Sequence, residues 1–219
     1  MTRTGPPTIE EIRVGDEPAA WRAAGFAVDD DGVCRAGTVR IRLVGRDEGK
    51  YVRSWALRGV TGDGDGNIDG LPTAPSSGTG PADPGVHPNG VLLIDHLVVA
   101  TPDLDRTIGV LEGRGLELRR TRETGAITQQ YGGAPMRQAF FRLGEVILEL
   151  IGPGEPAGDG PARFYGFAFT VEDIEATHAS VGGHMGRIKD AVQEGRRITT
   201  LRHKELDIST AIAFMSPEP

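Results

Sequence analysis

Cysteine, lysine, aromatic residues and long apolar runs are all scarce in this sequence, and each shortage excludes something. Cys34 is the single cysteine, so no disulfide can form within the chain. No run reaches the roughly 18 apolar residues of a membrane span, and no charged segment leads into an apolar one at the N-terminus. The expected compartment is therefore the reducing cytoplasm. Among 24 basic residues only Lys50, Lys189 and Lys204 are lysines, and the formal net charge is -7. That balance argues against nucleic acid or an anionic membrane surface as partner. There is no G-x-S-x-G elbow, no phosphate loop ending in G-K-[ST], and no cysteine nucleophile with an obvious partner. Covalent catalysis is not indicated.

What the sequence does contain is a repeat. Leu93-Ile94-Asp95-His96-Leu97-Val98-Val99-Ala100, followed by Thr101-Pro102-Asp103, is echoed by Arg163-Phe164-Tyr165-Gly166-Phe167-Ala168-Phe169-Thr170-Val171, followed by Glu172-Asp173. Each copy closes on an apolar run ended by proline, at Val146 to Pro153 and at Thr210 to Pro217. Repetition of a unit this size predicts a fold made by pairing modules.

Periodicity gives each copy one order of elements. In the first, strands are expected at 94–100, 116–121, 136–143 and 146–151, with a helix at 104–113. The second repeats this with strands at 165–171, 188–193, 197–202 and 211–215 and a helix at 174–181. Each copy is βαβββ. The expected fold class is α+β: tandem modules at 93–153 and 162–217 form a curved mixed sheet whose hollow can take a small-molecule ligand.

Residues 1–61 form a partial, worn module in this reading. Ile9 to Val14 fits the opening strand, Glu17 to Ala24 a helix, and Val39 to Gly45 the closing strand, while Ser54 to Val60 fits the start of a further copy. In that alignment Glu11 falls where His96 falls, and Arg42 where Glu149 falls. Such a partial module is expected to pack against the main pair or against the second subunit of a homodimer. Residues 62–92, rich in Gly, Pro and Asp, are expected to be a flexible linker. Their Asp63, Asp65, Asn67, Asp69 spacing resembles the start of a calcium loop but lacks its Gly and its closing Glu.

Only the first clear copy places ionisable residues, His96 and Glu149, inside apolar strands. A lone buried carboxylate is costly enough to take up a proton or find a partner. Alternation puts Ile94, His96 and Val98 on one face, and Ile147, Glu149 and Ile151 on one face. Imidazole and carboxylate on neighbouring strands suit a borderline divalent ion. A metal-free contact between them suits a polar anchor for a ligand. Arginines also gather at strand ends, at Arg119, Arg120 and Arg122, at Arg137 beside Gln138, and at Arg196-Arg197. Guanidinium forks recognise carboxylates and phosphates, which points to an anionic or oxygen-rich ligand. Arg137, Gln138 and Arg197 are the substrate-binding candidates.

Tandem βαβββ units with Ile-Asp-His opening one copy and Leu-Glu-Leu near its end resemble the vicinal oxygen chelate superfamily of glyoxalase I, extradiol dioxygenases and bleomycin resistance proteins. The resemblance implies a divalent metal (Zn, Fe, Mn or Ni) in the hollow, with His96 and Glu149 as ligands and Glu149 as the catalytic carboxylate. The second copy has Gly166 and Ala213 in the matching places. A third ligand is then sought among His203, His184, Glu194, Glu205 and a partner chain. Two functions remain open: a metal-dependent enzyme, or a protein of the same fold that sequesters a small molecule without turnover.

Overall fold

A computed structural model describes residues 5–61, 66–124 and 135–219. The elements in chain order are β1 (Thr8–Val14), α1 (Pro18–Ala23), β2 (Val33–Ala36), β3 (Val39–Leu43), β4 (Val52–Arg58), β5 (Asn67–Ile68), β6 (Leu71–Ala74), β7 (Val91–Ala100), α2 (Leu104–Gly113), β8 (Leu118–Thr124), β9 (Met136–Leu143), β10 (Val146–Pro153), β11 (Arg163–Val171), α3 (Ile174–Val181), β12 (Lys189–Asp190), β13 (Arg197–Thr200) and β14 (Ala211–Met215).

The clear repeat becomes one eight-stranded sheet of order β12-β13-β14-β11-β7-β10-β9-β8. Within each module the first and last strands run parallel, and the two first strands, β7 and β11, join the modules antiparallel. The fold is thus α+β, with tandem βαβββ modules in a mixed sheet. Local chemistry explains the matching helices. Asp103 caps α2 by accepting from Arg106 N, and Asp173 caps α3 by accepting from Glu175 N and Ala176 N. Leu104, Thr107, Ile108 and Leu111 of α2 are buried, the spacing of one helix face. The strand expected at 188–193 is only the two residues of β12, because the chain folds back within the stretch, Ala191 N donating to Arg196 O at 2.9 Å.

The N-terminal residues form a six-stranded sheet of order β2-β3-β1-β4-β6-β5. β1 pairs parallel with β3 and antiparallel with β4, as β7 pairs with β10 and β11. β4 then pairs parallel with β6 as β11 does with β14. The worn copy is a reduced edition of the whole paired sheet, with one helix in place of two. Its apolar face shares a single core with the eight-stranded sheet. The Trp21 ring meets Phe167 and Phe169 edge-on at 6.1 and 6.3 Å, and Trp55 meets Phe164 at 5.3 Å.

The stretch 62–92, expected as a linker, carries β5 and β6, with Ile68 and Leu71 buried and Trp55 Nε1 donating to Thr73 Oγ1 at 2.9 Å. Beyond β6 the chain lies across the N-terminal sheet and is tied down. The Glu10 carboxylate accepts from Ser76 Oγ at 2.5 Å and from Ser77 N at 3.0 Å, while Arg40 donates to Gly80 O and Arg58 to Thr79 O. His87 is buried, accepting from Ala27 N and donating to Arg35 O. Asp63 and Asp65 lie outside the described residues.

Candidate functional site

A β-bulge sets the geometry of the site. β7 and β11 pair Ile94 with Phe169 and His96 with Ala168, which leaves Asp95 as an extra residue on β7. Strict alternation would put Ile94 on the face of His96, but the bulge moves Ile94 to the core, fully buried, and puts Leu93 on the side of His96. The same irregularity occurs in β1, where Ile9 pairs with Leu57, Glu11 with Ala56, and Glu10 is the extra residue. Ile9-Glu10-Glu11 is therefore the structural counterpart of Ile94-Asp95-His96.

The bulge aims two consecutive polar residues at one chain of contacts across the sheet. Arg196 Nη2 donates to Asp95 Oδ2 at 2.6 Å, and Thr170 Oγ1 donates to the same oxygen at 2.9 Å. His96 Nδ1 lies 2.8 Å from Asp95 Oδ1, and His96 Nε2 lies 3.4 Å from Glu149 Oε2. Gln138 Nε2 donates to Glu149 Oε1, and Arg122 Nε donates to Gln138 Oε1 at 2.5 Å. Arg120 and Arg122 both stand over the Phe140 ring, at 4.7 and 5.3 Å from its centroid.

Charge follows from these contacts. Burial raises the Asp95 carboxyl, but hydrogen bonds from His96 and Arg196 and the charges behind them outweigh it and hold Asp95 well below the usual carboxylate range. Glu149 goes the other way. Burial pushes its carboxyl up, and the His96 ring and the Arg122 and Arg120 guanidinium groups only partly offset this.

Register also fixes the matching places in the other copies. Glu149 is two residues past Ile147, the partner of His96 on β10. In the second module Ala213 is two past Ala211, the partner of Gly166. Glycine is required there: a Cβ on Gly166 would fall 2.3 Å from the Ala211 carbonyl oxygen. In the N-terminal sheet Arg42 is two past Arg40, the partner of Glu11, and Arg42 Nε donates to Glu11 Oε2 at 3.1 Å.

The candidates named from sequence therefore separate. His96, Glu149 and Gln138 meet in the hollow. Arg137 and Arg197 point to the opposite face, where Asp105 of α2 and Glu175 of α3 bind them in ion pairs, so the guanidinium groups nearest the His96–Glu149 centre are those of Arg120, Arg122 and Arg196. His203, one of the candidates for a third ligand, is half-buried and lines a cavity of about 220 Å³ together with His96, Val98, Gly166, Ala168 and Ala213. Its Nδ1 donates to the Ile208 carbonyl at 2.7 Å, which leaves Nε2 as the ring's acceptor. His184 pairs with Glu205 on the surface.

A divalent metal fits this donor set incompletely. His96, its Nδ1 engaged by a carboxylate and its Nε2 near Glu149, has the arrangement of an oriented ligand. The second module cannot add a side chain at Gly166 without moving its backbone, and Asp95 is spent on Arg196. Among the described residues no group of three or more His, Cys, Asp or Glu side chains is placed to hold an ion, where catalytic zinc sites use three.

Paired βαβββ modules around a hollow with a buried imidazole–carboxylate pair define the class of protein. Residues 93–197 match the family model described as Glyoxalase/Bleomycin resistance protein/Dioxygenase superfamily. No curated protein matches the chain. Among solved structures, a mutant of 4-hydroxymandelate synthase from Streptomyces coelicolor aligns with a TM-score of 0.66 at 13% identity, covering 98% of this chain and 93% of that one. An extradiol ring-cleaving dioxygenase from B. fuscum aligns with a TM-score of 0.61 at 13% identity, covering 100% and 74%. Methylmalonyl-CoA epimerase from Mycobacterium tuberculosis gives a TM-score of 0.46 at 19% identity over 59% of this chain and 91% of that one. The first two likenesses are of fold and extend over the N-terminal sheet as well. No helix among the described residues is long and apolar enough to cross a membrane.

Proposed function

We propose that the chain is a glyoxalase-like small-molecule-binding protein whose ligand lies in the hollow of the eight-stranded sheet, against His96 and Glu149, without a resident metal. The observation that carries this reading is the contact between the two side chains at 3.4 Å beside a floor of Val98, Gly166, Ala168 and Ala213. Where the second module has no ligands it has room. His96, Glu149 and the acceptor Nε2 of His203 offer polar contacts to an oxygen-bearing ligand, and Arg120 and Arg122 bias the site towards negative charge.

Glu149 also has the properties of a proton-exchanging group. Its carboxyl is raised above the usual carboxylate range by burial and stands in a hollow, and a shift in this direction is one that general acids and bases show. Turnover by such a group does not need a metal ion. The test is a screen of small oxygen-bearing and anionic molecules by histidine side-chain NMR on the parent, His96→Ala and Glu149→Gln. Ligands that shift the His96 and His203 signals in the parent, and bind at least tenfold more weakly to either variant, support the reading. Ligands that bind all three equally overturn it.

The orientation of His96 by Asp95 favours a second reading, a metal-dependent enzyme of the same hollow with Zn, Fe, Mn or Ni on His96 and Glu149. It requires a further donor beside these two, and metal content decides between the two readings.

A further inference from the structure

The hollow continues past the polar centre. The next hollow-facing residues after Val98 and Glu149 are Ala100 and Ile151, which are register partners, and Ala100 is in turn paired with Arg163 of β11. Ala100, Ile151 and Arg163 border a cavity of about 650 Å³, closed further by Pro102, Met136 and Tyr165. That volume is in the range of small-ligand pockets, and it begins one two-residue step, about 7 Å, from Glu149. Tyr165 lines this cavity and also the smaller one beside His96, so the two spaces adjoin.

Arg163 is the unusual member of this wall. Arg106, Arg137, Arg196 and Arg197 are each matched to a carboxylate, whereas the Arg163 side chain makes no hydrogen bond or ion pair with any described residue. It stands exposed at the edge of a cavity whose other named walls, Tyr165 apart, are apolar. A planar guanidinium fork beside apolar walls matches a molecule with an apolar body and a carboxylate.

We infer that this cavity is a second subsite of the hollow, taking the apolar body of an amphipathic carboxylate whose anionic end meets Arg163. The inference rests on the reading of the hollow as the ligand site, and it adds the class of ligand. Arg163 selects for charge, while Ala100, Met136 and Ile151 select for apolar length.

Isothermal titration of the full chain with octanoate and with octanol tests it, on the parent, Arg163→Gln, Arg163→Lys and Ala100→Leu. Arg163 is exposed and unpaired, so its variants should melt as the parent does. The expected result is that the parent prefers octanoate to octanol by about tenfold, the scale of one charge-assisted hydrogen-bond pair. Arg163→Gln should remove the preference, Arg163→Lys should keep part of it, and Ala100→Leu should weaken both probes alike. If octanoate binds and Arg163→Gln leaves the preference unchanged, the role of Arg163 is overturned. If neither probe binds the parent, the subsite is overturned. Neither result bears on the His96–Glu149 centre, which stands or falls by the NMR screen and metal content.

Discussion

The Arg42 guanidinium donates to Glu11 at 3.1 Å from the register position that Glu149 holds towards His96. The N-terminal sheet thus keeps the geometry of the site and replaces its chemistry. An imidazole and a carboxylate leave donor and acceptor capacity for a third party, whereas a guanidinium and a carboxylate satisfy each other. The place over that sheet is taken by the chain itself, at Ser76 to Gly80. One copy of the cup is closed and the other is open.

Glu11 and Arg42 are partly exposed, so their attraction is screened by water. A double-mutant cycle of Glu11→Ala and Arg42→Ala should give a coupling of about 1 kcal/mol or less. Chemical denaturation measures it. A coupling several times larger would mean that the pair is a buried structural anchor.

Asp95 should behave differently because it and Arg196 are both buried. Asp95→Asn leaves the guanidinium facing an uncharged partner and should cost about 3 kcal/mol in urea unfolding with an unchanged slope. The folded carboxyl is held low, so its contribution is present above the ordinary carboxylate range and fades as pH falls through that range towards the folded value. The parent should therefore lose its margin over Asp95→Asn in acid. A margin that does not change with pH would contradict the shift.

For Glu149 the sign is reversed. Its folded carboxyl is raised, so the stability of the protonated form is present below the ordinary carboxylate range and is lost as pH rises through the folded value. Glu149→Gln removes that loss. Melting temperatures should show the variant above the parent at neutral pH, with the gap closing as pH is lowered. A gap that widens in acid would show that the carboxylate is stabilised in place.

Gly166→Ala tests why the second module has no ligand. The added carbon meets the Ala211 carbonyl oxygen, so the strands must separate or the chain must shift, at about 1 to 3 kcal/mol. Thermal unfolding should show the loss. A neutral substitution would mean that the missing side chain at this position is not imposed by packing.

Much of this fold is legible from the chain because each module announces itself twice. The helices Leu104–Gly113 and Ile174–Val181 and the strands Met136–Leu143 and Ala211–Met215 follow from apolar periodicity and an Asp cap. The register equivalence of Glu11 with His96 and of Arg42 with Glu149 is legible for the same reason. Alternation fails at Asp95, since a bulge shifts the period by one. The sign of it in the sequence is the pair of consecutive ionisable residues, Asp95-His96 and Glu10-Glu11, inside an apolar strand. β5 and β6 are too short for any period, and Pro72 speaks against a strand. Arg137 and Arg197 were separated from the hollow by Asp105 and Glu175, partners set by helix packing and not by sequence neighbourhood. Arg120, Arg122 and Arg196 were visible as strand-end arginines, but which of them face inward depends on register.

In the proposed function the His96–Glu149 pair serves the ligand directly, with no metal ion between. Metal analysis of the full chain, purified without chelator or nickel resin, tests it most directly when His96→Ala is analysed alongside. The expected result is substoichiometric metal that is the same in both proteins. Stoichiometric Zn, Fe, Mn or Ni in the parent, lost in His96→Ala, would contradict it.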